Sequence, residues 1–194
     1  AMRAQGLGAN VIVCEVDAIK AIEAKMDGFR VMRMVDAVKE AEIIITVTGC
    51  KDIVNAAHFA VMKDGCVMGN VGHFDNEISK KDLEAASNRC IRVRDFIDEY
   101  EMKDGRKLYL IAEGRLMNLA AGQGHPAEIM DTSFATQALG IEYVINNYSK
   151  MENKVYDVPI EMDYTIAKIK LASMGVAIDE MSADQYNYVH SWQE

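Results

Sequence analysis

Between residues 10 and 111, short apolar, β-branched runs alternate with segments whose apolar residues recur at helical spacing. That alternation leaves few ways to fold, because a strand followed by a helix that packs back on it returns the chain parallel to where it began. Residues 10–16, 30–34, 42–48, 66–70, 91–96 and 106–111 read as strands, and 17–27, 36–41, 58–62 and 80–87 as helices. Asp17 is the expected N-cap of the first of these helices. The unbroken run 42–48 predicts a strand buried on both faces, beside 66–70. The expected class is α/β, a mainly parallel sheet with helices on both faces.

The pattern changes after Gly124-His125-Pro126. A long helix is predicted to about residue 148, with Phe134, Ala138, Ile141, Ile145 and Tyr148 on one face that needs a partner surface. A polar break follows at 146–153, then helices over 160–174 and 183–192. The expected organisation is a sheet domain over 1–111, a connecting segment with the long helix over 112–149, and a helical tail over 150–194. A net charge of -9 argues against nucleic acid or an anionic membrane as partner. No apolar run is long enough to span a bilayer, and the first residues carry no signal-peptide pattern. Cys14, Cys50, Cys66 and Cys90 are spread singly, as reduced core residues of a cytoplasmic protein would be. No metal site is expected.

Glu15 ends one strand just before a helix. In dinucleotide-binding folds an acid at the end of the second strand accepts hydrogen bonds from the adenosine ribose and repels a ribose phosphate, which favours NAD over NADP. A solvated carboxylate at a strand end is the plainer reading. The glycine-rich phosphate loop that should precede it is not found. Gly6-Leu7-Gly8 lies between a helix-like stretch and a strand, the context of a helix cap and turn. Gly122-Gln123-Gly124 lacks a third, correctly placed glycine. The first strand and its loop are therefore expected to lie outside the sequence, with the fold starting just after them. Thr46-Val47-Thr48-Gly49-Cys50 and Asn70-Val71-Gly72-His73-Phe74 end the two most apolar strands. Ligands of open α/β sheets bind beyond such carboxyl ends. Gly72 would admit close backbone approach, and His73 stands where a proton-transfer group is useful; a loop histidine bonded to backbone is the alternative.

Residues 11–17, 46–50, 69–78 and 110–131, together with 131–137, occur in the order and spacing of S-adenosylhomocysteine hydrolases. The chain resembles that family's cofactor-binding, carboxyl-terminal part over nearly its whole length. The resemblance implies a Rossmann-like domain, NAD as cofactor, and reversible hydrolysis of S-adenosyl-L-homocysteine to adenosine and homocysteine. In that chemistry a hydride leaves the ribose 3′-carbon for tightly held NAD, homocysteine is eliminated, water adds, and the hydride returns. The resemblance assigns Glu15 to the cofactor ribose, and Thr48, Cys50, Val71, Gly72, His73, Asn118 and His125 to the cofactor site. It assigns His73, Phe74, Leu116, Leu119, His125 and Met130 to the substrate, with His73 the candidate catalytic residue. Lys20 stands where other members carry a cofactor-contacting asparagine.

The resemblance also implies a substrate domain ahead of residue 1, carrying the proton-abstracting groups. The 194 residues alone are accordingly expected to be inactive and to act as a homo-oligomer or with that missing part. Three other readings stay open at this point: a generic NAD-dependent dehydrogenase domain, a non-catalytic binding or assembly fragment, and S-inosylhomocysteine as the substrate.

Overall fold

The computed structural model describes residues 1–191. The chain forms two compact units, Ala1–Gly124 and His125–Glu194. The first opens with α1 (Met2–Gly6), β1 (Ile12–Val13), α2 (Ala18–Met26) and β2 (Arg30–Val31). The Leu7 and Gly8 N–H groups bond back to the Arg3 and Gln5 carbonyls, and Gly8 takes φ 92°, a left-handed value open to glycine. Gly6-Leu7-Gly8 thus closes a helix, as expected, and is not a phosphate loop. Asp17 caps α2: its Oδ1 accepts from the N–H groups of Ile19 at 2.8 Å and Lys20 at 3.3 Å. Asp17→Ala is expected to cost about 1 kcal/mol in urea unfolding, the usual loss for an N-cap. β1 and β2 pair in parallel and form a two-stranded sheet of their own.

α3 (Met34–Ala37), β3 (Ile43–Thr46), α4 (Ala56–Phe59), β4 (Val67–Asn70), α5 (Lys80–Ala86), β5 (Ser87–Arg94), β6 (Ile97–Met102), β7 (Lys107–Ile111) and α6 (Met117–Ala120) follow. The larger sheet runs β3-β4-β7-β6-β5. β3, β4 and β7 are parallel, while β7, β6 and β5 form an antiparallel meander. The unit is a parallel-rich α/β domain, consistent with a Rossmann-like fold. Its core lies on one face of the larger sheet. There Val38, Phe59 and Leu83, from α3, α4, α5 and their ends, pack with Ile44, Met68, Leu108 and Leu110. On the other face Met117 of α6 lies against Gly69.

Three expectations need correction. β3 is not buried on both faces: Ile44 and Thr46 are buried, but Ile43 is 66% and Ile45 53% exposed. β3 is an edge strand, and Ile43 and Ile45 on its other face stay more than half exposed. β6 has no counterpart in the sequence reading, because its Asp98 and Glu99 look like loop residues. Both are buried, and cross-strand donors neutralise them: Arg92 for Asp98, Lys107 and the Tyr109 hydroxyl for Glu99. The Lys107 bond, with help from Tyr109, holds the Glu99 carboxyl below the usual range. The cysteines are not all core residues. Cys66 is buried, and burial raises its thiol to about 11. Cys50 and Cys90 are exposed, one in a strand-end turn and the other on edge strand β5.

The second unit holds α7 (Ala127–Asn147), α8 (Ile160–Ser173) and α9 (Ala183–His190). The expected end of the last helix at Trp192 lies outside the described residues. α7 packs on α8, with an ion pair of 2.8 Å between Asp131 and Lys170. Phe134, Ile141, Ile145 and Tyr148 of the predicted apolar face are exposed. Among the described residues no helix is long and apolar enough to cross a membrane.

Candidate functional site

The carboxyl ends of β3, β4 and β7 carry the polar and small residues singled out from sequence. The Val71 N–H bonds the Thr46 carbonyl at 2.8 Å, which continues the β3–β4 ladder one step past β4. Asn70 and Leu116 form a parallel bridge that adds the segment after β7. Asn70 ties the three ends together. Its Oδ1 accepts from the Thr46 hydroxyl at 3.0 Å and the Gly72 N–H at 2.7 Å. Its Nδ2 donates to the carbonyls of Gly72 (3.2 Å), Phe74 (2.7 Å) and Gly114 (2.9 Å). Both ends of a fully buried amide are thereby satisfied.

Glu77 does the same from below. Its Oε2 accepts from the Thr48 N–H at 3.0 Å and the Thr48 hydroxyl at 2.8 Å, and its Oε1 from the Gly49 N–H at 2.6 Å. Gly72 is buried against this carboxylate so closely that an added Cβ would overlap it. The Cys50 N–H in turn bonds the Thr48 hydroxyl oxygen at 3.1 Å. Sequence reasoning gave neither Asn70 nor Glu77 a role. Their presence inside strand-end motifs is the signal that could have found them, since polar side chains there must either face a ligand or satisfy the turn.

Beyond β7 the backbone turns left-handed at Ala112 (φ 51°), Glu113 (φ 58°) and Gly114 (φ 77°). Such values are costly for non-glycine residues and persist where surroundings impose them. Here Ala112 N–H bonds the Phe96 carbonyl at 2.7 Å, and Glu113 pairs with Arg92 at 2.7 Å. The turn delivers Leu116 and Leu119 into an open cleft with His73, Phe74, Asp75, Arg115 and Ala120. His73 and Phe74 stand edge-to-face, ring centroids 4.6 Å apart, and both are exposed to the cleft side. Asn118 on α6 has a buried Oδ1 with no donor among the described residues, an acceptor that a ligand N–H would satisfy.

Glu15 lies two residues past β1, a strand of the two-stranded sheet. Its carboxylate accepts from the Asp17 and Val16 N–H groups, which hold it below the usual range and so ionised at neutral pH. Lys20 follows in α2 and is exposed. Thr48, Cys50, Val71, Gly72, His73, Phe74, Leu116, Asn118 and Leu119 thus gather around the ends of β3, β4 and β7, and Glu15 follows a strand of the other sheet. His125 and Met130 belong to the second unit. Among the described residues no cluster of His, Cys, Asp or Glu is arranged to hold a metal ion.

Small and polar residues at the carboxyl ends of parallel strands, an ionised acid following another, and an orphaned buried acceptor define a dinucleotide-binding α/β domain. Residues 1–124 match the family described as S-adenosyl-L-homocysteine hydrolase, NAD binding domain. The chain belongs to the S-adenosyl-L-homocysteine hydrolase family, and it carries that family's NAD-binding domain. It is 56% identical over 193 residues to an adenosylhomocysteinase of Thermococcus kodakarensis, covering 100% of this chain and 46% of the relative. It is 50% identical over 194 residues to an S-inosyl-L-homocysteine hydrolase of Methanocaldococcus jannaschii, with the same coverage of 100% and 46%. A Methanothermobacter thermautotrophicus S-inosyl-L-homocysteine hydrolase is 54% identical over 196 residues, again covering 100% and 46%. The chain therefore spans about half the length of the curated relatives it matches.

Proposed function

We propose that this chain supplies the NAD site and one wall of the active site of an enzyme that reversibly hydrolyses S-adenosyl-L-homocysteine to adenosine and homocysteine. The observation that carries the reading is the gathering of Thr48, Gly72, His73 and Leu116 at the strand ends of a domain matching the family's NAD-binding part. NAD, when bound, would supply a reversible hydride acceptor, so that no net oxidation results. Glu15 accepts from the cofactor ribose hydroxyls, and Thr48, Cys50, Val71 and the Gly72 backbone line the cofactor. Asn118 offers its unpaired oxygen to the carboxamide N–H. His73 moves the proton at the leaving sulfur or at the attacking water. Phe74, Leu116 and Leu119 contact the substrate, and the family resemblance assigns His125 and Met130 to substrate contact as well. The proton-abstracting groups come from the rest of a longer polypeptide or from a second subunit, in a cytoplasmic homo-oligomer without nucleic-acid or membrane partners.

S-inosylhomocysteine is the second substrate reading, because relatives named for it match at 50% and 54% identity. Thiol assay of homocysteine release from each substrate, by the longer NAD-loaded enzyme that carries this chain, decides between them. Failure of both would refute the proposed activity. Cofactor choice is tested separately by calorimetry. NAD is expected to bind and NADP to bind at least about tenfold more weakly, since an ionised Glu15 would face the 2′-phosphate. Glu15→Ala is expected to weaken NAD about tenfold, the loss typical of hydrogen bonds to a charged group. Equal affinities for the two cofactors would refute the role of Glu15.

A further inference from the structure

Glu77 is fully buried, and among the described residues no lysine, arginine or histidine forms an ion pair with it. An unpaired buried carboxylate is unfavourable unless hydrogen bonds replace its water. Here they do, and all three come from two consecutive residues at the end of β3. The Thr48 and Gly49 N–H groups point together because Gly49 is left-handed at φ 68°, which makes a small concave anion site of the backbone. Such a site at a strand end ordinarily invites a ligand's phosphate. In this chain its own carboxylate fills it.

The consequence falls on Thr48, an exposed residue just past the end of β3. Its proton is committed to Glu77 at 2.8 Å, and one lone pair accepts from the Cys50 N–H at 3.1 Å. A hydroxyl has one proton and two acceptor positions, so one acceptor position remains and no donor. The buried charge behind it also repels an anion. We propose that Glu77 is a positioning residue that makes Thr48 an acceptor-only contact, selecting an N–H or O–H donor of the cofactor or substrate and excluding a phosphate oxygen. By lying flush against Gly72, the same carboxylate sets the turn that carries His73.

This inference rests on the proposed NAD site, and the test separates the two. The NAD-loaded protein that carries this chain is compared with Glu77→Gln, Thr48→Val, Thr48→Ser and the Glu77→Gln/Thr48→Val double variant. NAD affinity, KM and kcat are measured, with thermal unfolding alongside. Glu77→Gln keeps the shape but turns one acceptor into a donor facing either the Thr48 or the Gly49 N–H group. It is expected to weaken NAD or raise KM about tenfold or more. Thr48→Val should do the same, Thr48→Ser should restore near-parent values, and the double variant should be no worse than the worse single. Additive losses, or a Glu77→Gln variant that is less stable yet binds and turns over normally, would overturn the positioning role and leave the NAD site standing. Absence of NAD binding in the parent would overturn both.

Discussion

Purified alone, residues 1–194 are expected to associate beyond the 21.6 kDa monomer, to bind NAD weakly and to release no homocysteine. Association follows from the sheets. Among the described residues β1 pairs only with β2, and β3 only with β4, so each presents an edge of unpaired backbone N–H and C=O groups. Unpaired edges invite pairing with another strand. The outward row of Ile43, Ile45 and Val47 is apolar and more than half exposed, and Phe134, Ile141, Ile145 and Tyr148 of α7 are exposed as well. Exposed apolar rows of this kind mark surfaces that associate. Weak NAD binding follows from the turn after α1, which caps a helix and offers no glycine-rich cradle for a pyrophosphate. Loss of turnover follows from the proposed division of labour, with the proton-abstracting groups elsewhere. Light scattering, calorimetry and a thiol assay on the 194 residues check the three parts. A stable monomer with micromolar or tighter NAD affinity would refute the prediction.

Gly72→Ala is expected to cost about 3 kcal/mol and to abolish NAD binding at ordinary cofactor concentrations. Overpacking a filled site costs about 1–3 kcal/mol, and this position belongs at the upper end. A Cβ there would overlap the Glu77 carboxylate and come within 3.0 Å of the Asn70 Oδ1. Neither group can move freely. Glu77 is held by Thr48 and Gly49, and Asn70 by Thr46, Phe74 and Gly114. Gly69→Ala is the control. Its added carbon would press on the Met117 sulfur, near the end of a flexible side chain, so about 1 kcal/mol is expected. Guanidinium unfolding of both variants, with calorimetry for NAD, checks the ordering. Equal losses would mean that Glu77 and Asn70 yield as easily as a methionine.

Much of this arrangement could be read from residues alone. Asp17 as a cap, the helices at α2 and α5, and the adjacency of β3 and β4 all follow from local pattern, because caps and periodicity are short-range properties. So does the placement of His73 and Phe74 at a cleft beyond the strand ends, since strand ends of a parallel sheet lie on one side, whereas Leu116 was indicated only by the family resemblance. β6 was hidden because its stability depends on partners elsewhere in sequence. Asp98 and Glu99 become strand residues only when Arg92, Lys107 and Tyr109 arrive across the ladder. Glu77 was hidden for the same reason. A glutamate after an Asp-Asn pair reads as solvated until the turn after β3 folds over it.

The sequence by itself determined the α/β class, the family and the acid that follows β1, because each depends on neighbours in the chain or on long matching motifs. The tertiary structure alone decided which face of β3 stays open, that β5, β6 and β7 run antiparallel, and that Asn70 and Glu77 lock the strand ends together. Those outcomes depend on hydrogen bonds between residues 24, 29 and 44 positions apart, for Asn70 with Thr46, Glu77 with Thr48 and Asn70 with Gly114. A buried polar side chain is satisfied or not according to what the whole fold brings beside it, and no local pattern carries that information.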